Sequence, residues 1–163
     1  MSAFAHLHVH SQYSLLNGAI RLKDLIQRTK ELEMAAVAMT DTGNMFGAVD
    51  FFKRAKKQGV KPIIGTEALM AEFTRSDPDA AAYPLVLLAK DDTGYSNLRS
   101  AVSRAYLEGF HRGVPRLDME VMRAHHEGVI ALSGTTESLI AQAVLQDRMD
   151  RARELIESHC EIF

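Results

Sequence analysis

Tryptophan is absent from the 163 residues, cysteine occurs once, at Cys160, and proline only four times. A single cysteine excludes a disulfide framework within the chain and suits a reducing compartment. With ten glycines and four prolines, the sequence holds no collagen-like, Pro-rich or low-complexity tract. Charge of one sign is also missing: 19 Lys and Arg against 21 Asp and Glu give a net charge of −2. No overall field therefore draws the chain to nucleic acid or an anionic membrane. No apolar run approaches the roughly 20 residues of a membrane span. Residues 1–20 carry three histidines among polar residues rather than a basic end and an apolar stretch, so no signal peptide is expected. What is present, 47% hydrophobic and 25% charged residues, describes a soluble, cytoplasmic globular chain with one sizeable core.

Short apolar runs alternate with amphipathic segments, which predicts βα units around a parallel sheet. Phe4 to His10 reads as a strand, followed by a turn through Asn17 and Gly18. Arg21 to Met34 reads as a helix with Leu22, Leu25, Ile26 and Leu32 on one stripe. Ala35 to Thr40 reads as a buried strand. Asn44 to Gln58 reads as a helix with Met45, Val49, Phe52 and Ala55 inward and Gly59 as its stop. Val60 to Ile64 is a third strand, which Glu67 to Ala71 extends or follows as a hairpin arm. Thr74 to Ala82 is a loop, Leu85 to Ala89 a strand, and Asp91 or Asp92 caps the next helix. Gly109 to Pro115 breaks the pattern, Asp118 caps a short helix, and Gly128 to Leu132 is a fifth strand. Two helices follow, the second from Asp147 to Ser158 with Met149, Ala152, Leu155 and Ile156 inward. Cys160 to Phe163 then resembles the opening of a sixth strand, with Cys160 in the core. An open sheet edge at that point predicts a piece of a larger domain.

Chemistry concentrates in His6-Leu7-His8-Val9-His10-Ser11. On a strand the three imidazoles share one face, and two at i and i+2 can chelate a transition metal. A polar strand face with surface histidines is the competing reading. It weakens because the next two strands end in Thr40-Asp41-Thr42-Gly43-Asn44 and Gly65-Thr66-Glu67. In a βα barrel such ends converge on one rim, where His8, His10, Asp41 and Glu67 could face a common cavity. Other candidates have bland readings. Lys53-Arg54-Ala55-Lys56-Lys57 reads as the solvated side of a helix rather than a phosphate contact. His111, Arg112, His125 and His126 fall in loops, and the methionines at helical spacing are packing.

The stretches HLHVHSQYSLLNG, AVAMTDTGNMFGAVDFF, GVKPIIGTEALMA, YPLVLLAKDDTGYSNL and GVIALSG resemble, in that order, the PHP (polymerase and histidinol phosphatase) domain of bacterial replicative DNA polymerase III α subunits. The resemblance runs from residue 4 to the end. It implies an irregular seven-stranded (β/α) barrel, incomplete here, with about five strands present plus the start of a sixth. It also implies a metal cluster at the rim, which in free-standing relatives hydrolyses phosphoesters and in some polymerases gives a 3′–5′ exonuclease. His8, His10 and Glu67 match three of the family's ligands, with His6 and Asp41 beside them.

Four positions depart from the pattern: Asn17 replaces an aspartate ligand, Thr42 a histidine, Pro84 a histidine and Thr135 a cysteine. The remaining ligands would lie beyond Phe163. Three donors suffice for one weakly held zinc or manganese, whereas a cluster needs bridging carboxylates and more imidazoles. The expectation is residues 1–163 as the N-terminal part of a single PHP domain with an eroded metal site and no catalytic residue assigned. Its role would be structural and docking, with the proofreading exonuclease subunit and other replisome subunits as partners. DNA and magnesium would be engaged by the parent polymerase outside this chain, and no membrane is involved. The alternative is a metal-dependent phosphoesterase or 3′–5′ exonuclease.

Overall fold

The computed structural model describes residues 4–163. Twelve elements follow one another: α1 (Leu22–Glu31), β1 (Ala36–Met39), α2 (Ala48–Lys57), β2 (Lys61–Ala71), β3 (Ala82–Ala89), α3 (Asp92–Glu108), β4 (Phe110–His111), β5 (Val114–Leu117), α4 (Met119–Ala124), β6 (Val129–Leu132), α5 (Leu139–Leu145) and α6 (Met149–Cys160). The helices form where apolar residues recur at helical spacing. Leu22, Leu25, Ile26 and Thr29 are buried on α1, and Gly94, Leu98, Ala101 and Ala105 on α3. The starts of α3 and α4 are capped by side chains: Asp91 accepts from the Gly94 N–H at 2.9 Å, and Asp118 from the Val121 N–H at 3.1 Å.

The sheet is mixed rather than parallel. Its order is β4-β5-β2-β3-β6, with β1 also paired to β2. β1 and β5 run parallel to β2, while β3 runs antiparallel to both β2 and β6. β2 organises this arrangement. Along one edge Gly65 to Ala71 face β3, and the opposite edge is shared between β1 at Lys61 to Ile64 and β5 at Leu69 and Met70. One face of the sheet buries Ala68, Met70, Leu85, Leu87 and Leu117 against Leu98, Ala101 and Ala105 of α3. A second core packs α1 and α2 over β1 through Ile26, Val37, Met39 and Phe51.

Several expectations are corrected. Residues 4–10 form no regular strand. Two main-chain bonds tie them to β1, from Ala38 N to His6 O and from Thr40 N to Val9 O. Three residues on one side thus span two on the other, a bulge-like step that breaks the ladder. The Val9 N–H turns instead to the Thr40 hydroxyl at 2.9 Å. The segment from Gly109 to Pro115 is a hairpin, β4–β5, turned at Arg112 and Gly113, both at positive φ. Residues 160–163 begin no strand: α6 runs to Cys160, Ile162 caps the core, and Cys160 is exposed. On α2 it is Ala48, Phe51 and Ala55 that face inward, while Val49 and Phe52 are exposed. Leu32, Met149 and Ile156 are likewise exposed.

Among the described residues no helix is long and apolar enough to cross a membrane.

Candidate metal centre

The site lies where β1 ends and β2 passes its midpoint. Parallel pairing continues past Met39 to an isolated bridge between Thr42 and Glu67, fixed by Glu67 N to Asp41 O at 3.1 Å and Gly43 N to Glu67 O at 2.8 Å. Gly43 takes φ +66 there, and a side chain on it would press into the Pro115 ring. The extended segment carrying His8 and His10 crosses this point. The Glu67 carboxylate, largely buried, meets both imidazoles: His8 Nε2 lies 2.7 Å and His10 Nε2 3.2 Å from Oε2, and the two nitrogens are 3.2 Å apart.

These separations fit a single small cation. Ligand atoms about 2.1 Å from a tetrahedral zinc lie roughly 3.4 Å from one another. The two 3.2 Å edges are already close to that value, and the 2.7 Å edge opens by little more than half an ångström. One carboxylate and two neutral imidazoles are a borderline-soft set, suited to zinc or manganese. His8, His10 and Glu67 would hold the ion, and it would supply Lewis acidity at its open positions.

Among the described residues a second ion finds no such set. Asp41 is fully buried, and both of its oxygens are engaged. Oδ1 accepts from the Ser11 N–H and the Ser14 hydroxyl, each at 2.6 Å, and Oδ2 from the Ser11 hydroxyl at 2.7 Å. This carboxylate folds the 11–14 turn. Thr42 donates its hydroxyl to Glu67 Oε1 at 3.2 Å, so it steadies the ligand carboxylate and adds no imidazole. His6 stands outside the donor group, its ring edge-on to Phe4 at 4.8 Å. Asn17 is exposed in a turn, Pro84 lies in β3 opposite Leu69, and Thr135 is exposed beyond β6. None of these three belongs to the donor group.

The sequence reading missed the part of Ser11 and Ser14 in holding Asp41, and at Thr42 it noted the missing imidazole but not the hydroxyl bond to Glu67. The serines' signal is faint, because a serine one or four residues after a histidine is ordinary. Only burial of both serines shows their task.

The sequence has counterparts among known proteins. The family model described as "PHP domain" matches residues 6–163. The chain belongs to that family. A DNA polymerase III subunit alpha from Thermus aquaticus is 51% identical over 98% of this PHP chain. Proteins of the same name from Deinococcus radiodurans and Borreliella burgdorferi are 45% and 44% identical over 98% and 95% of it. The chain spans only 13–14% of the length of these relatives. Among solved structures, an amidohydrolase from Chromobacterium violaceum, with sulfate and no metal, matches 63% of the chain and 36% of its own at a TM-score of 0.44 and 24% identity.

Proposed function

We propose that the chain is the N-terminal part of a single PHP domain in a bacterial replicative DNA polymerase III α subunit, serving as a structural and docking module. The observation that carries this reading is the donor count at the rim. Three ligand atoms converge, the neighbouring carboxylate is consumed by two serines, and a threonine hydroxyl takes up the rest of Glu67. Such a set offers three protein ligands to one ion, whereas a bridged pair of ions needs more carboxylates and imidazoles than the described residues bring together.

Two further observations support the reading. β6 ends the sheet, and Ile130, 45% exposed, borders an apolar groove of about 320 Å³ with Ile140, Ile156 and Phe163. A continuing chain that completes an irregular barrel would cover it. Phe46, Tyr106 and Phe110 form an exposed aromatic row, with ring centroids 6.4 and 5.6 Å apart, a surface suited to a protein partner. In the parent enzyme, magnesium-dependent extension of DNA belongs to domains outside this chain. The proofreading exonuclease subunit and other replisome subunits are the partners, in the cytoplasm.

The second reading, a metal-dependent phosphoesterase or 3′–5′ exonuclease, draws on the surviving triad. Elemental analysis of protein purified without chelator separates the two. One equivalent or less of zinc or manganese, without EDTA-sensitive hydrolysis of phosphomonoesters or DNA 3′ ends, is expected. Two or more equivalents with such hydrolysis would overturn the structural reading.

A further inference from the structure

A cleft of about 560 Å³ opens between α1 and α2, lined by none of the metal-site residues. Lys23 and Lys30 border it from α1, Arg54 and Lys57 from α2, and the buried Ile26 forms its floor. Glu31 is the one acid in the lining. Its carboxylate is occupied by Arg28 and Gln27, each at 3.1 Å, and Arg28 followed by Gln27 holds it below its ordinary pKa. Arg54 is tied to Asp50 at 2.6 Å. Among the described residues, Lys23, Lys30 and Lys57 have no carboxylate within ion-pair reach.

The run on α2 was expected to be a solvated helix face, and the fold adds α1 to it. Residues 21–61 hold nine Lys and Arg against five Asp and Glu, in a chain whose net charge is −2. One of those five, Asp41, is sealed in the interior. Cations in the last turn of a helix complement its dipole, which accounts for Lys30 and Lys57 one at a time. Lys23 sits in the first turn of α1, where a positive charge opposes the dipole, yet it faces the same cleft.

We propose that the α1–α2 cleft binds the phosphodiester backbone of a nucleic acid strand. Lys23 and Lys30 are seven residues apart, about 10 Å along the helix. Lys57 adds a third charge from α2 on the other side of the cleft, so the three cations are spread over a length of backbone that holds more than one phosphate. Lysine supplies point charges that track a backbone, whereas carboxylate recognition favours the arginine fork. No aromatic side chain lines the cleft, so binding is independent of sequence and steeply salt-dependent. No exposed apolar side chain lines it either, which removes the anchor a lipid surface needs.

The test is fluorescence anisotropy of a labelled oligothymidylate against the 163-residue chain over a salt series, with circular dichroism confirming the fold of every variant. Three contacts predict a slope of log affinity on log salt of roughly −2. The K23Q/K30Q/K57Q variant should bind at least about tenfold more weakly at low salt and lose most of that slope. K90Q/R99Q/R123Q, an equal charge change at exposed positions elsewhere, should leave both unchanged. Absence of binding by the native chain, or equal losses in the two variants, would overturn the proposal. So would displacement of the oligonucleotide by polyglutamate at matched charge.

Discussion

Replacing Asp41 should unfasten the site before it touches any ligand. The side chain is fully buried and accepts three short hydrogen bonds, two from Ser11 and one from Ser14. Bonds to an ionised acceptor contribute roughly 1.5–3 kcal/mol each. They do not add fully, because the two serine hydroxyls can turn toward other acceptors. The Ser11 amide cannot turn, and in Asp41→Ala it would be left buried without a partner. The expected cost of Asp41→Ala is therefore on the order of 3–5 kcal/mol, a large share of the roughly 5–15 kcal/mol that holds a domain together. Asp41→Asn is the informative control. Its amide oxygen can keep the two donors now on Oδ1, and its amide nitrogen can donate to the rotated Ser11 hydroxyl, leaving a cost of roughly 1–2 kcal/mol. Urea titration followed by far-UV circular dichroism, with the m-value checked for constancy, measures both. If the two variants lose the same stability, or if alanine costs under roughly 1 kcal/mol, the carboxylate does not organise this turn.

Four further outcomes follow from the same structure. His10→Ala should abolish zinc uptake measured by competition with a chromophoric chelator, while shifting the urea midpoint little, because the imidazole is partly exposed. Arg75→Met should cost roughly 1.5–3 kcal/mol in urea titration, since it takes the guanidinium at 2.9 Å from the buried Asp118 carboxylate and leaves it the N–H groups of Arg75 and Val121. Glu108, held down to about 2 by Arg104 and then Arg75, has a folded pKa below its ordinary 4.5. Its contribution is present above pH 4.5 and lost as pH falls toward 2, so Glu108→Gln should flatten the acid limb of a thermal-stability profile in that window. Gly94→Ala should lower thermal stability by several degrees, because the new methyl group would run into the main chain of Gly128.

Much of this molecule was legible before folding, and the boundary is physical. α1, α3 and the β3 core announce themselves by period, and Asp91 and Asp118 by the shape of a cap. His8, His10 and Glu67 carry chemistry that few other roles need, and they come together as close neighbours. The sheet direction was not legible, because a βα rhythm is blind to the loop 72–81 that turns β3 back along β2. The β4–β5 hairpin was hidden since its strands span only two and four residues. Arg75 gives no local sign at all. Burial alone would lower its pKa, yet hydrogen bonds to Glu108, Asp118 and Glu120 outweigh that and hold its charge firmly. Those three acids stand 33 to 45 residues away in sequence.

β2 has a kinetic consequence. Its second half is pinned on both edges, by β3 on one side and by Thr42 and β5 on the other, with Glu67 at the crossing. Each amide there bonds to one neighbour, as the Glu67 N–H does to Asp41 O at 3.1 Å, and the strand is held on its other edge as well, so losing one neighbour does not free the strand. In deuterium exchange the amides from Glu67 to Met70 should be the slowest in the chain, while residues 4–10, joined to β1 by two main-chain bonds, exchange early. Glu67 therefore sits in the last region to open, and its two imidazole partners on one of the first. The donors can swing away and return while the carboxylate stays in place.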